Sequence, residues 1–310
     1  MLGGKTTHPD PEVIGIIPGA DSIIMLPMKD YFRAKELLSP PITRAAYADR
    51  TAWIMAECSA LAYVEDQRLL KKALAAGDFK LVKGFSKDEI TAYVAVSSKH
   101  GYAVLAFKGT VLTEGETIRT DLDFWWYKHK GVVFHEGFYK GYESLYHDIH
   151  AQLDKLRLPI YVTGHSLGGA LATVCVMNYP STDRIAACYT YGAPRVCDLE
   201  GVIRFYKVPL YRIVHSDDVV PTLPFWAMGF VQMGDLRYIN DQSQEIEGSA
   251  GVFNRIGLQF KSFLTLQFGR LVGDHAIGKY AAILKTIAEY RRNDHVQRSL
   301  RDFNRKRRKV

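Results

Sequence analysis

The stretch of residues 162–172, VTGHSLGGALA, constrains the fold more than any other part of the sequence. It places Ser166 after the apolar, strand-like run 159–162 and before an alanine-rich helical pattern. A strand that turns abruptly into a helix leaves almost no room for side chains two residues before and two residues after the turn, and Gly164 and Gly168 occupy those positions. This geometry would make Ser166 a nucleophile projecting from the end of a sheet. The alternative is a small residue in a glycine-rich turn.

Strand-like and helix-like patterns alternate through the rest of the chain. Strands are predicted over 90–98, 102–109, 159–163, 184–192, 210–216 and 236–240, and helices over 43–64, 141–156, 167–178 and 275–291. Residues 110–131 are predicted to be irregular. Such alternation is typical of a mostly parallel sheet covered by helices on both faces, so the sequence predicts an α/β fold.

A nucleophilic serine needs a histidine to take its proton and a carboxylate to orient that histidine. In hydrolases built on a strand–turn–helix elbow, the acid follows the serine along the chain and the histidine follows the acid. Only His275 and His295 lie after Ser166 and after the best acid candidates. His295 lies in a highly basic end segment, so the order of residues favours His275 as the base.

The acid is expected in a loop directly after a late strand. Asp217 and Asp218 follow the predicted strand 210–216, and their spacing leaves both open. Asp198 is predicted instead to cap a helix, and Asp235 to turn the chain.

Six segments, in this order, resemble the motifs of the class 3 (fungal-type) lipase family. They read AVLAFKGT (103–110), VFHEGFYKGY (133–142), YVTGHSLGGALATV (161–174), YTYGAPRVCD (189–198), DDVVPTLP (217–224) and DHAIGKY (274–280). The resemblance implies an α/β-hydrolase fold, a mostly parallel central sheet with helices on both faces. Two residues depart from the family pattern: Lys108 stands where arginine is usual, and Cys197 where glycine is usual.

The resemblance also assigns roles to residues. The family's acid immediately precedes Val-Val-Pro, which selects Asp218, and its histidine falls on His275. The oxyanion is expected to be held by the backbone N–H of Leu167, the residue after the nucleophile, and, by resemblance, by that of Thr110. The implied activity is a serine carboxylic ester hydrolase that acts on lipid esters, like a triacylglycerol lipase, through an acyl-enzyme.

Other readings of the same residues remain open. Phospholipase A1 and feruloyl-type esterase activities use the same triad, and an interaction protein that has lost catalysis is a non-enzyme alternative. No metal or cofactor is expected. The four cysteines lack CxxC spacing and are predicted to be buried free thiols.

The chain divides, on this reading, into an N-terminal arm (1–44), the hydrolase domain (45–290) and a basic tail (291–310). The tail carries nine Lys or Arg against two Asp, within a net charge of +7. It could contact an anionic membrane surface, whereas it lacks the interleaved aromatic residues of a nucleic-acid partner. No secretory signal or membrane span is recognised, so a soluble, cytoplasmic protein is expected, with export by another route or a removed signal left open. The sequence does not indicate the oligomeric state.

Two apolar segments are candidates for a cap over the acyl chain of the substrate. One contains Trp125 and Trp126, and the other, 251–273, contains Phe260 and Phe263 and is predicted to be helical. The alternative for 251–273 is a helix packed on the core. The stretch 111–123, where relatives carry a lid, is mostly polar.

Overall fold

The computed structural model describes residues 30–38, 46–110, 125–205, 207–216, 218–239 and 274–307. The strands are β1 (Lys80–Lys87), β2 (Ile90–Ser97), β3 (Tyr102–Phe107), β4 (Trp126–His129), β5 (Val132–His135), β6 (Ile160–His165), β7 (Ile185–Tyr191), β8 (Leu210–His215) and β9 (Asp235–Ile239). The α-helices are α1 (Asp49–Leu61), α2 (Gln67–Ala76), α3 (Glu136–Leu153), α4 (Leu167–Asn178), α5 (Leu199–Phe205) and α6 (Ile277–Arg307). Short 3-10 helices occur at Lys35–Leu37, Thr182–Arg184, Val220–Thr222 and Trp226–Met228.

Seven of these strands form one sheet in the order β1-β2-β3-β6-β7-β8-β9. The pairs β1–β2 and β2–β3 are antiparallel, and every pair from β3 to β9 is parallel. In the β3–β6 register Phe107 lies beside Gly164, so the segment after β3 and the segment after β6 leave the same edge of the sheet. This edge is where an α/β sheet holds its ligands.

The sheet has an apolar core on each face. Along β3, Val104 and Ala106 belong to the core that also contains α1, α2 and α6, whereas Leu105 and Phe107 belong to the core that contains α3 and α4. Side chains alternate between the two faces of a strand, which explains why β3 is buried along its whole length. The predicted α/β-hydrolase architecture, a mostly parallel sheet with helices on both faces, is confirmed.

Two strand pairs were not anticipated. β1 is only partly buried and contains three lysines and a glycine, so it lacks the apolar pattern that marks a strand. The segment 110–131, expected to be irregular, contains β4, which pairs with β5 in a hairpin. Lys130 and Gly131 both have positive φ at its turn, as a tight two-residue hairpin loop requires.

The helix predictions were wrong at two ends. α1 begins at Asp49 rather than near 43, and α6 continues to Arg307 instead of ending near 291. No glycine or proline interrupts α6 after Gly278, and ion pairs of Arg291 with Asp49 (2.8 Å) and Arg292 with Glu36 (3.6 Å) hold the helix to the domain. The division at 290/291 therefore falls inside a continuous helix. Among the described helices, none is both long and apolar enough to span a bilayer.

Candidate active site

The stretch 162–172 forms the sharp turn between β6 and α4. Ser166 adopts φ 57° and ψ −129°, a conformation that side-chain-bearing residues rarely occupy. A β-carbon on Gly164 would collide with the backbone of Gly168, and one on Gly168 would collide with the carbonyl oxygen of Phe107. Both glycines are therefore required by close backbone approach, as the sequence predicted.

Ser166 lies at the first turn of α4. Its own N–H donates to the carbonyl oxygen of Tyr191 at 2.9 Å, which ties the turn to the end of β7. Leu167 is the first residue of α4, so its N–H belongs to the helical turn that has no intrahelical acceptor, where the helix dipole favours negative charge. This donor belongs to the residue directly after Ser166, the predicted position of an oxyanion-binding N–H.

Asp218 and His275 form a buried pair. Asp218 follows the end of β8, and His275 lies just before the start of α6. Their side chains are almost completely buried, and His275 Nδ1 lies 3.0 and 2.9 Å from the two carboxylate oxygens of Asp218. In the neutral ring the Nδ1 proton is donated to the carboxylate, which leaves the lone pair on Nε2. Nε2 is buried and has no hydrogen-bond partner within the part of the chain that the structure describes. The pair is thus arranged to accept a proton at Nε2.

Two further donors hold the Asp218 carboxylate. The Tyr280 hydroxyl donates to Oδ2 at 2.5 Å, and the backbone N–H of Val220 donates to Oδ1 at 3.0 Å. Tyr280 in turn accepts from the backbone N–H of His215 at 3.0 Å. The sequence did not single out Tyr280, although it lies within DHAIGKY, because its spacing from Asp218 carries no sign of a contact.

The turn after β3 lies next to the elbow. A β-carbon on Gly109 would be 3.2 Å from the β-carbon of Ser166, so the residue that precedes Thr110 lies against Ser166. Lys108, which replaces the family's arginine, forms an ion pair with the exposed Glu65 at 2.9 Å. Cys197, which replaces a glycine, is buried and bridges Phe134 and Val231 through its backbone.

The other predicted residues divide into three groups. Asp198 caps α5, because its Oδ1 accepts from the N–H of Gly201 at 2.9 Å, and Asp235 begins β9 rather than forming a turn. Trp125 and Trp126 lie on the surface, 63% and 57% exposed. Phe260, Phe263 and Asp217 lie outside the described residues.

The cysteines are free thiols, and the described residues hold no group of metal ligands. Cys58, Cys175, Cys188 and Cys197 are all buried and unbridged, as predicted. In the described ranges no three His, Cys, Asp or Glu side chains are grouped so that they could hold a metal ion.

The fold and this site define an α/β-hydrolase with a serine elbow. Residues 104–228 match the model of the family "Lipase (class 3)". We therefore assign this central segment of the chain to the class 3 lipase family, which confirms the resemblance seen in the sequence motifs.

Individual relatives support the assignment. The chain is 35% identical over 127 residues to a lipase of Rhizomucor miehei, which covers 37% of this chain and 35% of that protein. It is 30% identical over 158 residues to a secreted mono- and diacylglycerol lipase of Fusarium solani, which covers 47% of this chain and 46% of that protein. The chain thus spans about a third to a half of the length of these relatives.

Comparison with a solved structure also supports the α/β-hydrolase fold. A triacylglycerol lipase, described as having a catalytic centre formed by a serine protease triad, superimposes with a TM-score of 0.57 at 27% identity. The superposition covers 67% of this chain and 87% of that structure.

Proposed function

We propose that this protein is a carboxylic ester hydrolase that acts on lipid esters, with Ser166 as nucleophile, His275 as general base and Asp218 as the carboxylate that orients it. The observation that carries the proposal is the buried Asp218–His275 pair, in which Nε2 of His275 has no partner among the described residues, together with Ser166 held at positive φ in the elbow. His275 and the residue before Ser166 are in direct contact, since the rings of His165 and His275 are 4.4 Å apart.

The arrangement supports acyl transfer in two steps. Ser166 Oγ attacks the ester carbonyl carbon as its proton passes to His275 Nε2, and the collapse of the tetrahedral intermediate expels the alcohol, which takes that proton. Water then gives a proton to His275 as it attacks the acyl-enzyme carbonyl, and the second tetrahedral intermediate collapses by breaking the bond between Ser166 Oγ and the acyl carbon. The acid is released, and the proton passes from His275 to Ser166 Oγ. In both steps the N–H groups of Leu167 and Thr110 would bind the oxyanion, and losing one such donor typically costs about 10²- to 10³-fold in kcat.

Acylglycerol esters are the proposed substrate class. The Fusarium solani relative is a mono- and diacylglycerol lipase and the superimposed structure is a triacylglycerol lipase, and the same reaction would serve those esters here. The buried, hydrogen-bonded Asp218–His275 pair argues against the non-enzyme alternative of a lapsed hydrolase.

An exposed tryptophan surface would bring the site to lipid. We define it as Trp125, Trp126 and Trp226, which are 63%, 57% and 75% exposed. The indole N–H of Trp126 donates to the carbonyl oxygen of Met228 at 3.2 Å, so the start of the hairpin contacts the 3-10 turn that carries Trp226. Tryptophan favours the boundary between water and lipid, because an apolar ring and a polar N–H are combined in one side chain. In this proposal Trp125 and Trp126 contact the lipid surface, and the role of Phe260 and Phe263 in a cap remains a prediction.

An ester panel tests the proposal. Wild type, Ser166→Ala and His275→Ala are compared on p-nitrophenyl esters of increasing acyl length, on acylglycerols, on a phospholipid and on a feruloyl ester. Wild type should hydrolyse acylglycerols, and both variants should lose activity by about 10³-fold or more while remaining folded. A fluorophosphonate should label Ser166 alone. Retained activity in Ser166→Ala, or labelling at another serine, would refute the assignment.

A further inference from the structure

His165, the residue before Ser166, is buried and joins separate segments of the site. Its Nε2 lies 2.6 Å from the backbone carbonyl oxygen of His275, and its Nδ1 lies 2.8 Å from the hydroxyl of Tyr63. A carbonyl oxygen can only accept a hydrogen bond, so Nε2 carries the proton and donates it. In the neutral ring Nδ1 then accepts from the Tyr63 hydroxyl.

The ring of His165 is held in this neutral tautomer. Burial, and then the neighbouring His275, keep the pKa of His165 well below its usual range. A flipped tautomer would point the Nε2 lone pair at the carbonyl oxygen of His275, and two acceptors would repel each other. The Tyr63 hydroxyl therefore favours the proton position on which the contact with His275 depends.

Tyr63 extends the hydrogen bonds to the turn that precedes Thr110. Its hydroxyl also accepts from the backbone N–H of Gly109, and burial raises the pKa of Tyr63, so the hydroxyl keeps its proton. A β-carbon on Gly109 would collide with that hydroxyl and with the carbonyl oxygen of His165. The connected path runs from the N–H of Gly109 through Tyr63 and His165 to the carbonyl of His275.

We propose that Tyr63 and His165 are positioning residues that set the distances between the oxyanion turn at Gly109–Thr110, the nucleophile Ser166 and the base His275. The inference rests on the proposed function of Ser166 and His275. Tyr63 lies outside residues 104–228, so it belongs to a part of the chain that the family match does not include. The two residues act through their neighbours: a displacement of about 1 Å in a reacting group can cost about 10²-fold in rate.

Two substitutions at His165 separate its two hydrogen bonds. His165→Gln can place an amide N–H where Nε2 lies and so keep the bond to the carbonyl of His275. His165→Asn reaches only as far as Nδ1 and loses that bond. We expect His165→Asn to lower kcat on a soluble p-nitrophenyl ester by about tenfold to hundredfold at unchanged KM, and His165→Gln to lower it clearly less.

Tyr63→Phe tests the other end of the path. Its matched control is Tyr93→Phe, because Tyr93 is also buried and donates to a backbone carbonyl, that of Cys58, at 2.8 Å. Both variants should lower Tm, but only Tyr63→Phe should lower kcat. The ¹⁵N NMR spectrum of histidine-labelled protein should show the Nε2–H tautomer of His165 in wild type and in Tyr93→Phe, and a shifted tautomer in Tyr63→Phe.

The outcomes distinguish this inference from the proposed function. Equal kcat losses in His165→Asn and His165→Gln, or a Tyr63→Phe protein with wild-type kcat and an unchanged tautomer, would overturn the positioning role. An inactive wild type would refute the proposed function alone, because the tautomer measurement needs no turnover. A folded His165→Asn variant with reduced kcat and unchanged KM supports the inference.

Discussion

Gly192 and Asp218 lie so close together that no side chain fits between them. A β-carbon on Gly192 would be 2.5 Å from Asp218 Oδ2 and 2.9 Å from Cε1 and Nδ1 of His275, and Gly192 has φ +56°. Asp218 and His275 are therefore packed against the backbone of Gly192, directly after β7. Glycine at this position leaves room for the carboxylate and the imidazole to contact each other.

Gly192→Ala should disturb the contact between Asp218 and His275. We expect kcat on a soluble ester to fall by about tenfold or more, since the new methyl group must displace Asp218 or His275. The matched control is Gly101→Ala, because Gly101 also has positive φ (+71°) but would meet nothing within 4 Å. Both variants should lose stability in urea denaturation through backbone strain. A Gly192→Ala protein as active as Gly101→Ala would contradict the prediction.

The two adjacent aspartates should differ sharply. Asp218→Asn removes the charge that fixes the Nδ1–H tautomer of His275, and we expect kcat to drop by about 10³- to 10⁴-fold. Asp217→Asn should stay within a few-fold of wild type. Steady-state kinetics on a soluble ester measures both. If Asp217→Asn proves the more damaging, the acid has been assigned to the wrong residue.

The tryptophan surface should matter for lipid particles but not for dissolved substrate. Trp126→Ser combined with Trp226→Ser should weaken binding to neutral phosphatidylcholine vesicles and slow acylglycerol hydrolysis in them. Turnover of a soluble ester and Tm should hardly change, because both rings are already more than half exposed. Tyr290→Ala, 54% exposed on α6, is the control. Equal vesicle binding by the double variant and the control would exclude this surface.

The C-terminal part of α6 is predicted to bind anionic bilayers. A deletion of 296–310 keeps the ion pairs of Arg291 and Arg292 with Asp49 and Glu36 and should preserve soluble-ester turnover. It should weaken binding to phosphatidylglycerol vesicles, and salt should weaken the binding of the full-length protein, since exposed charges are screened. Binding that ignores both salt and the deletion would show that these residues have no role at the membrane.

Glu57 should make stability depend on pH. Burial raises the pKa of Glu57 from 4.5 to about 7, against the hydrogen bond from Trp53 Nε1 at 2.9 Å. Because folding raises this pKa, the folded state holds the Glu57 proton more tightly than the unfolded state does. The resulting contribution to stability is complete below pH 4.5 and is lost as the pH rises through 7. Glu57→Gln should therefore be more stable than wild type at pH 8 by about 3 kcal/mol and show little difference at pH 4.5.

Urea denaturation at both pH values measures this difference. The control is Glu289→Gln, whose side chain is 40% exposed on α6 and should change little at either pH. A constant difference between Glu57→Gln and wild type from pH 4.5 to 8 would contradict the buried, protonated carboxyl.

Part of the candidate site could be predicted from the sequence, because the backbone at the elbow requires particular residues at particular positions. The sharp turn at Ser166 needs glycine two residues away on either side, and both glycines lie within five consecutive residues. Chain order then left His275 as the favoured base. The buried strands were predicted for the same reason, since the signal for such a strand is a run of four to eight apolar residues that are consecutive in the sequence. By contrast β1, with its lysines and partial burial, carried no such run.

Contacts between distant segments were decided only by the tertiary structure. Spacing could not choose between Asp217 and Asp218; in the structure Asp218 is buried and accepts a hydrogen bond from His275. Nothing in the linear order showed that Tyr280 would hold the acid, or that Tyr63, some hundred residues before His165, would reach its ring. Such contacts depend on how α1 and α6 pack against the sheet. The apolar pattern of a helix predicts that it packs there, but not which of its side chains meets which distant residue. The sequence therefore determined the elbow and the order of the proposed catalytic residues, and the packing of the helices determined which side chains hold them in place.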